Sequence, residues 1–190
     1  MNEMVTSEKA LEILVLDDFL KFPEEYRAMA LDQSFKRIDF GHIAFNGIAL
    51  APLTIGLPRL LQRRFPHLVP ELSVFRRSPA GQKEPNFIHC DIELGEWTAI
   101  LYLNPRPMPG DGTDFWEHAE THEIRGTAEN AVEKMKDRSR VFRWRHIKAK
   151  FNRVVMFPAD LFHSRALYDN YGSGDDARLI QVVFGNGSLE

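Results

Sequence analysis

Phe87-Ile88-His89-Cys90-Asp91-Ile92 is the stretch on which the reading of this chain turns. In an extended strand, side chains at i and i+2 leave from one face. His89 and Asp91 are therefore expected side by side, with Cys90 pointing the other way. An imidazole nitrogen next to a carboxylate oxygen is half of a divalent-metal site. A second imidazole from a distant strand, for which His163 is the candidate, would complete a two-histidine, one-carboxylate facial triad. Such a triad keeps adjacent coordination positions open and suits non-haem iron(II). A His beside an Asp also describes a plain hydrogen-bonded pair, so the surrounding chain decides.

Working outward, the chain from Leu72 reads as short strands punctuated by Pro and Gly. They are Leu72–Arg76, Asn86–Ile92, Trp97–Asn104, Thr113–Trp116, Val141–Arg145, Phe151–Phe157, Phe162–Leu167 and Ala177–Phe184. Pro105, Pro107, Pro109, Gly110 and Gly112 predict a rigid loop, and Tyr168–Asp176 a turn between the last two strands. Upstream, Glu12–Leu16 reads as a short strand. Pro23 suits the first turn of a helix running to about Gln33, with Glu24 and Glu25 at its N-terminal dipole end. Residues 34–56 read as irregular or edge-strand material. Pro58 opens a second helix through Leu60, Leu61 and Phe65, stopped by Pro66. Thr127 is expected to cap a short helix with Ala128, Ala131, Val132 and Met135 on one face. No internal repeat or low-complexity linker divides the 190 residues, so one domain is expected over 1–190. Its helical part covers about 1–70 and its β core about 72–186. Helices first and strands afterwards predict a mostly β protein, a sandwich with helices packed on one sheet.

Bulk properties exclude more than they identify. A hydrophobic content of 44% with 27% charged residues is that of an ordinary globular domain. The net charge of -3 gives no electrostatic reason to expect nucleic acid or anionic membrane as a partner. No signal-like start and no membrane-length apolar run is seen. Cys90 is the only cysteine, which rules out an intrachain disulfide and makes a reducing cytoplasm the expected compartment.

His163 lies where a turn, Phe157-Pro158-Ala159-Asp160, feeds a strand, and Arg178 is expected across a hairpin from it. A metal site with a fixed guanidinium nearby fits a dicarboxylate cosubstrate, because Arg can take one carboxylate bidentately. At this point the chain resembles the iron(II)- and 2-oxoglutarate-dependent dioxygenases, most closely their prolyl-4-hydroxylase-like branch. The family pattern is a His-x-Asp pair, a distal His and a basic residue on the following strand. His89, Asp91, His163 and Arg178 stand in those positions. Thr98-Ala99-Ile100-Leu101-Tyr102-Leu103-Asn104 is similar to the branch's strand ending in Tyr-Leu-Asn. Gly110-Asp111-Gly112-Thr113-Asp114-Phe115 is similar to its Gly-Gly-x-Thr-x-Phe turn, with Asp111 interrupting the glycine pair. Val15-Leu16-Asp17-Asp18-Phe19-Leu20 and its helix resemble the branch's usual start.

The resemblance implies a double-stranded β-helix, or jelly roll, with N-terminal helices on one sheet. It implies Fe(II) held by His89, Asp91 and His163, with 2-oxoglutarate and O2 as cosubstrates and ascorbate as a candidate reductant. The far carboxylate of 2-oxoglutarate would meet Arg178, with Arg165, on the same strand face as His163, as its rival. Tyr102 would offer its hydroxyl to the cosubstrate, the alternative being a core tyrosine. The expected substrate is a small molecule or a peptide side chain, and the open edges of a sandwich leave a homodimer open. Two other classes stay in view: a non-catalytic β-sandwich binding protein and a cupin-like metalloenzyme that does not use 2-oxoglutarate.

Other residues read more plainly. Arg76 reads as a solvated strand arginine rather than part of a substrate mouth, and Asn104 as a turn former. Trp97 and Trp116 read as core aromatics before pocket walls. His118 and His122 share a spacing that could bind zinc, yet lie in a charged segment without a third ligand. The basic run Arg138–Arg153 reads as a solvated strand pair rather than a nucleic-acid footprint.

Overall fold

The computed structural model describes residues 13–40, 43–127 and 131–189. In chain order the elements are β1 (Leu14–Leu16), α1 (Pro23–Leu31), β2 (Lys36–Phe40), β3 (Ile43–Leu50), α2 (Gly56–Arg64), β4 (Val69–Ser78) and β5 (Trp97–Tyr102). There follow β6 (Gly112–His118), α3 (Ala131–Lys134), β7 (Val141–Lys148), β8 (Arg153–Pro158), β9 (His163–Arg165) and β10 (Arg178–Asn186). Seven strands form one antiparallel sheet in the order β1-β8-β5-β10-β4-β3-β2, and three form a second, β7-β6-β9. The result is the mostly β, jelly-roll architecture expected from the sequence.

The central strand β5 explains the layering. It is buried along its whole length, as a strand covered on both faces must be. Its alternate residues feed two cores. Trp97, Ala99 and Leu101 face outward and pack with Leu57 and Leu61 of α2, Ala30 of α1, Phe75 and Leu179. Ile100 and Tyr102 face inward and pack with Phe115, Ile147, Phe157 and Ile180. The helices therefore cover the outer face of the large sheet, and the small sheet closes over its inner face. Burying one such side chain stabilises by roughly 1.5–3 kcal/mol, so this alternation fixes the register of β5. Pro in the first turn of α1 and the acidic Glu24 and Glu25 beside it set where that helix begins.

Several boundaries depart from the sequence reading. Lys36–Phe40 and Ile43–Leu50, within the segment read as irregular or edge-strand material, form the strands β2 and β3, with β2 at the sheet edge and β3 paired to β4. Gly47 is what permits this approach: a Cβ there would lie 2.0 Å from the Arg77 carbonyl oxygen. Asn86–Ile92 is not a strand. It touches the small sheet through one bridge, in which His89 donates to the His163 carbonyl at 3.0 Å and His163 donates back at 2.9 Å. By Asp91 the backbone has turned to the Ala159 carbonyl (2.6 Å), so the pairing cannot continue.

Nor do β9 and β10 form the expected hairpin. β9 pairs with β6 in the small sheet, while β10 runs between β4 and β5 in the large one. Tyr168–Asp176 thus crosses between sheets, and Arg178 approaches the interior from the wall opposite His163. The basic run Arg138–Arg153 holds one strand rather than a pair: β7 lies within it, mostly exposed or half-buried, while β8 begins only at Arg153 and belongs to the other sheet. Met135, the residue after the short α3, is buried, whereas Ala128 of the expected helix lies outside the described residues, as does Glu12 of the first strand. No described helix is long and apolar enough to cross a membrane.

Candidate metal centre

The single bridge between His89 and His163 does what a strand would have done. Alternation persists through the segment: Ile88 and Cys90 turn towards Met135 and Phe162, while His89 and Asp91 turn towards each other. His89 Nε2 lies 3.5 Å from Asp91 Oδ1, and His163 Nε2 lies 3.2 Å from Asp91 Oδ2. One donor atom from each of the three falls within 4.8 Å of the others. Ligand bonds of about 2.0–2.2 Å to a single ion need donors spaced on this scale.

The imidazoles are oriented for ligation. Each Nδ1 faces a backbone carbonyl two residues back, His89 on Phe87 at 3.0 Å and His163 on Leu161 at 2.9 Å. That contact fixes the proton on Nδ1 and leaves the Nε2 lone pair pointing inward. Thr98 donates its hydroxyl to Asp91 Oδ2 at 2.8 Å, which fixes the carboxylate. Rings of Phe87, Phe115 and Phe157 pack around the two imidazoles, Phe157 at 4.7 Å from His163. Burial, helped by the neighbouring His163, pushes His89 down to about 4. Against the cost of burial, His163 and the Thr98 hydroxyl hold Asp91 down to about 2. Burial opposes the charged form of His163, but the Asp91 carboxylate outweighs it and raises that imidazole. Two inward nitrogens and one anionic oxygen are a donor set for a divalent ion such as iron(II).

Behind the triad lies a charged interior. Thr113 of β6 sits opposite Arg165 of β9, and its hydroxyl meets that of Tyr102 from the large sheet at 2.7 Å. Opposed residues of an antiparallel pair share a face, so Arg165 points inward with Thr113, as does His163 two residues before it. Burial pushes the Tyr102 phenol well up, so it stays protonated and able to donate. Arg178, at the start of β10, is 3% exposed and gives its Nε to both oxygens of Asp111, at 3.0 and 3.1 Å. Asp111 also accepts the Tyr171 hydroxyl at 2.8 Å and the Gly112 N–H at 2.7 Å.

Glu84, from the loop after β4, accepts from Arg76 of the large sheet and from Arg165 Nη1 at 3.2 Å. Burial opposes its charge, and Arg76 wins, lowering it. Burial and then the nearby Arg178 push Arg165 down to about 10. Arg76 is therefore an interior residue rather than a solvated one. Glu84 and Tyr171 carry no spacing signal that sequence reasoning could use. Thr98, Asp111 and Thr113 lie within the motifs that resemble the family's, but those motifs assign them no contact.

The remaining candidates fall elsewhere. Trp97 is fully buried on the helix-covered face and donates to the Asn186 carbonyl at 2.9 Å. Trp116 packs beside Cys90 and Ile88 on the outer side. Asn104 ties the end of β5 to β10 through Ala177 and Leu179, as a turn former should. His118 bonds to Thr121 and His122 to Glu117, and the triad is the only metal-type cluster among the described residues.

No protein-family model matches this sequence, and no curated protein matches it either. Solved structures do. The chain is similar to the non-haem alpha-ketoglutarate-dependent carbocyclase SnoK from nogalamycin biosynthesis, at 15% identity and TM-score 0.59, covering 98% of this chain and 84% of that one. It is similar to HygX from Streptomyces hygroscopicus, solved with nickel, 2-oxoglutarate and hygromycin B, at 14% identity and TM-score 0.54 over 96% and 86%. A Pseudomonas putida prolyl-4-hydroxylase matches at 14% identity and TM-score 0.54 over 95% and 96%. At such identities the likeness defines the fold. The chain has the fold of iron- and 2-oxoglutarate-dependent oxygenases. A prolyl-4-hydroxylase stands among the similar structures, in keeping with the branch that the sequence resembles.

Proposed function

We propose that this chain is an iron(II)- and 2-oxoglutarate-dependent dioxygenase that oxidises, most simply by hydroxylation, a small molecule or a peptide side chain. The observation that carries this reading is the convergence of His89 Nε2, Asp91 and His163 Nε2 inside a jelly roll. These residues would hold the iron, and the basic interior around Arg178, Arg165 and Tyr102 would receive the cosubstrate. When bound, iron(II) supplies the redox chemistry that couples oxidative decarboxylation of 2-oxoglutarate by dioxygen to oxidation of a substrate.

The chain's own residues do the rest. The Phe87 and Leu161 carbonyls hold both imidazoles in the ligating tautomer. Thr98 keeps Asp91 in place as an anion. Phe115 and Phe157, both fully buried, keep water from the inner side of His163. Tyr102 stays protonated and can donate to a carboxylate. Ascorbate would serve as the reductant that keeps the iron ferrous, and unpaired Cys90 suits a reducing cytoplasm.

The test is succinate release from 2-oxoglutarate by protein supplied with Fe(II), ascorbate and air, with His163→Ala as the control. The reading expects slow substrate-independent succinate formation in the wild type and none in the variant. Failure of Ni(II)-loaded protein to bind 2-oxoglutarate at all would overturn it.

A further inference from the structure

Three guanidinium groups and two carboxylates share the interior behind the metal triad. Arg178 and Asp111 are spent on each other: both are 3% exposed, and the Nε of one meets both oxygens of the other. Arg76 and Arg165 share a single carboxylate, that of Glu84, and both donate to its Oε2. One positive charge is therefore left without a counter-ion among the described residues of the cluster. The hydrogen-bond pattern says where it sits.

Arg165 has a side chain only 9% exposed, and two of its nitrogens, Nε and Nη2, are buried with no hydrogen-bond partner among the described residues. Arg76 has one such atom, its Nε. Buried donors of a charged group call for acceptors. Nε and Nη2 form one edge of the guanidinium plane, the edge that takes the two oxygens of a carboxylate side by side. Arg165 also stands two residues from His163 on the same strand face, about 6.6 Å further along the strand.

Resting on the function proposed above, we infer that Arg165, rather than Arg178, holds the carboxylate of 2-oxoglutarate that lies away from the metal. Glu84 fixes the Arg165 guanidinium through Nη1, and Arg76, donating to the same Glu84 oxygen, holds that carboxylate in place. Arg178, held by the Asp111 carboxylate and the Tyr171 carbonyl, is a positioning residue that ties β10 to the loop before β6.

The test compares two probes on Ni(II)-loaded protein by calorimetry: 2-oxoglutarate, and 2-oxopentanoate, which has the same chain length but ends in a methyl group. A charge-assisted bidentate contact is worth about 10- to 100-fold in affinity. Wild type should therefore prefer 2-oxoglutarate by about that factor. Arg165→Gln should bring the two probes close to parity, and Arg165→Lys, which keeps the charge without the fork, should fall between. The preference should persist in the paired variant Arg178→Gln/Asp111→Asn, which leaves no buried charge unmatched. Ni(II) stoichiometry in each variant reports that the fold and triad are intact. A preference that survives Arg165→Gln, or that disappears in the paired variant, overturns the assignment while leaving the cosubstrate reading standing. Absence of binding of either 2-oxo acid to wild type removes both.

Discussion

Asp111 grips Arg178 with both carboxylate oxygens, at 3.0 and 3.1 Å from Nε, and neither residue is more than 3% exposed. This pair joins the loop that precedes β6 to the first residue of β10, so it ties the small sheet to the large one. Asp111 is the residue that interrupts the glycine pair of the motif the chain resembles. The neighbouring Gly112 keeps the close approach such a turn needs, since a Cβ there would lie 2.1 Å from the Ile147 carbonyl oxygen.

Removing one partner of a buried ion pair strands the other, at a cost of about 3–5 kcal/mol. Asp111→Ala should lower unfolding free energy by that amount in urea denaturation. Asp111→Ala/Arg178→Met, which removes both charges, should recover most of the loss. A single variant within about 0.5 kcal/mol of wild type would contradict the pairing.

Tyr26 holds helix to helix and helix to sheet. Its hydroxyl donates to Gln181 Oε1 at 2.7 Å and accepts the Leu57 N–H at 3.1 Å, in the first turn of α2. Tyr26→Phe leaves two buried partners unmatched and should cost about 1–3 kcal/mol. Metal affinity should be unchanged, because the site lies on the other face of the sheet. Equilibrium denaturation beside a metal titration measures both.

Asp17 links the segment after β1 to Arg153 and Lys150 around β8. The hydrogen bond from Arg153 leads the effects that lower it, from 3.8 to about 2. A depressed carboxylate contributes stability above its unfolded value, and that contribution is lost as pH falls through the folded one. Wild type should therefore exceed Asp17→Asn in stability at pH 6, with the gap closing between pH 4 and 2. Asp17 is 38% exposed, so solvent screening limits the gap to about 1 kcal/mol or less. A gap that widens on acidification would reverse the assignment.

What could be read from the sequence was what depends on local spacing. His89 and Asp91 share a face because alternate residues do, even where the strand shrank to one bridge. The helix opening at Pro23 followed from proline and charge placement, and the one expected from Pro58 begins two residues earlier, at Gly56. The expected hairpin between His163 and Arg178 failed because two successive strands can as readily enter different sheets, and nothing in Tyr168–Asp176 encodes which. β2 and β3 could be read only as irregular or edge-strand material because alternation breaks at Gly47, a residue there for close approach to β4 rather than for pattern. Glu84 was invisible for a different reason. Its partners Arg76 and Arg165 come from opposite sheets, and only the closed fold brings them to it.

The central claim is that His89, Asp91 and His163 hold a single metal ion. Calorimetric titration of metal-free protein with Ni(II), or with Fe(II) under anaerobic conditions, measures this directly. The account predicts one ion per chain for wild type, with saturable binding absent from His163→Ala and from Asp91→Ala although circular dichroism shows both folded. Wild-type stoichiometry and affinity retained in both variants would contradict it.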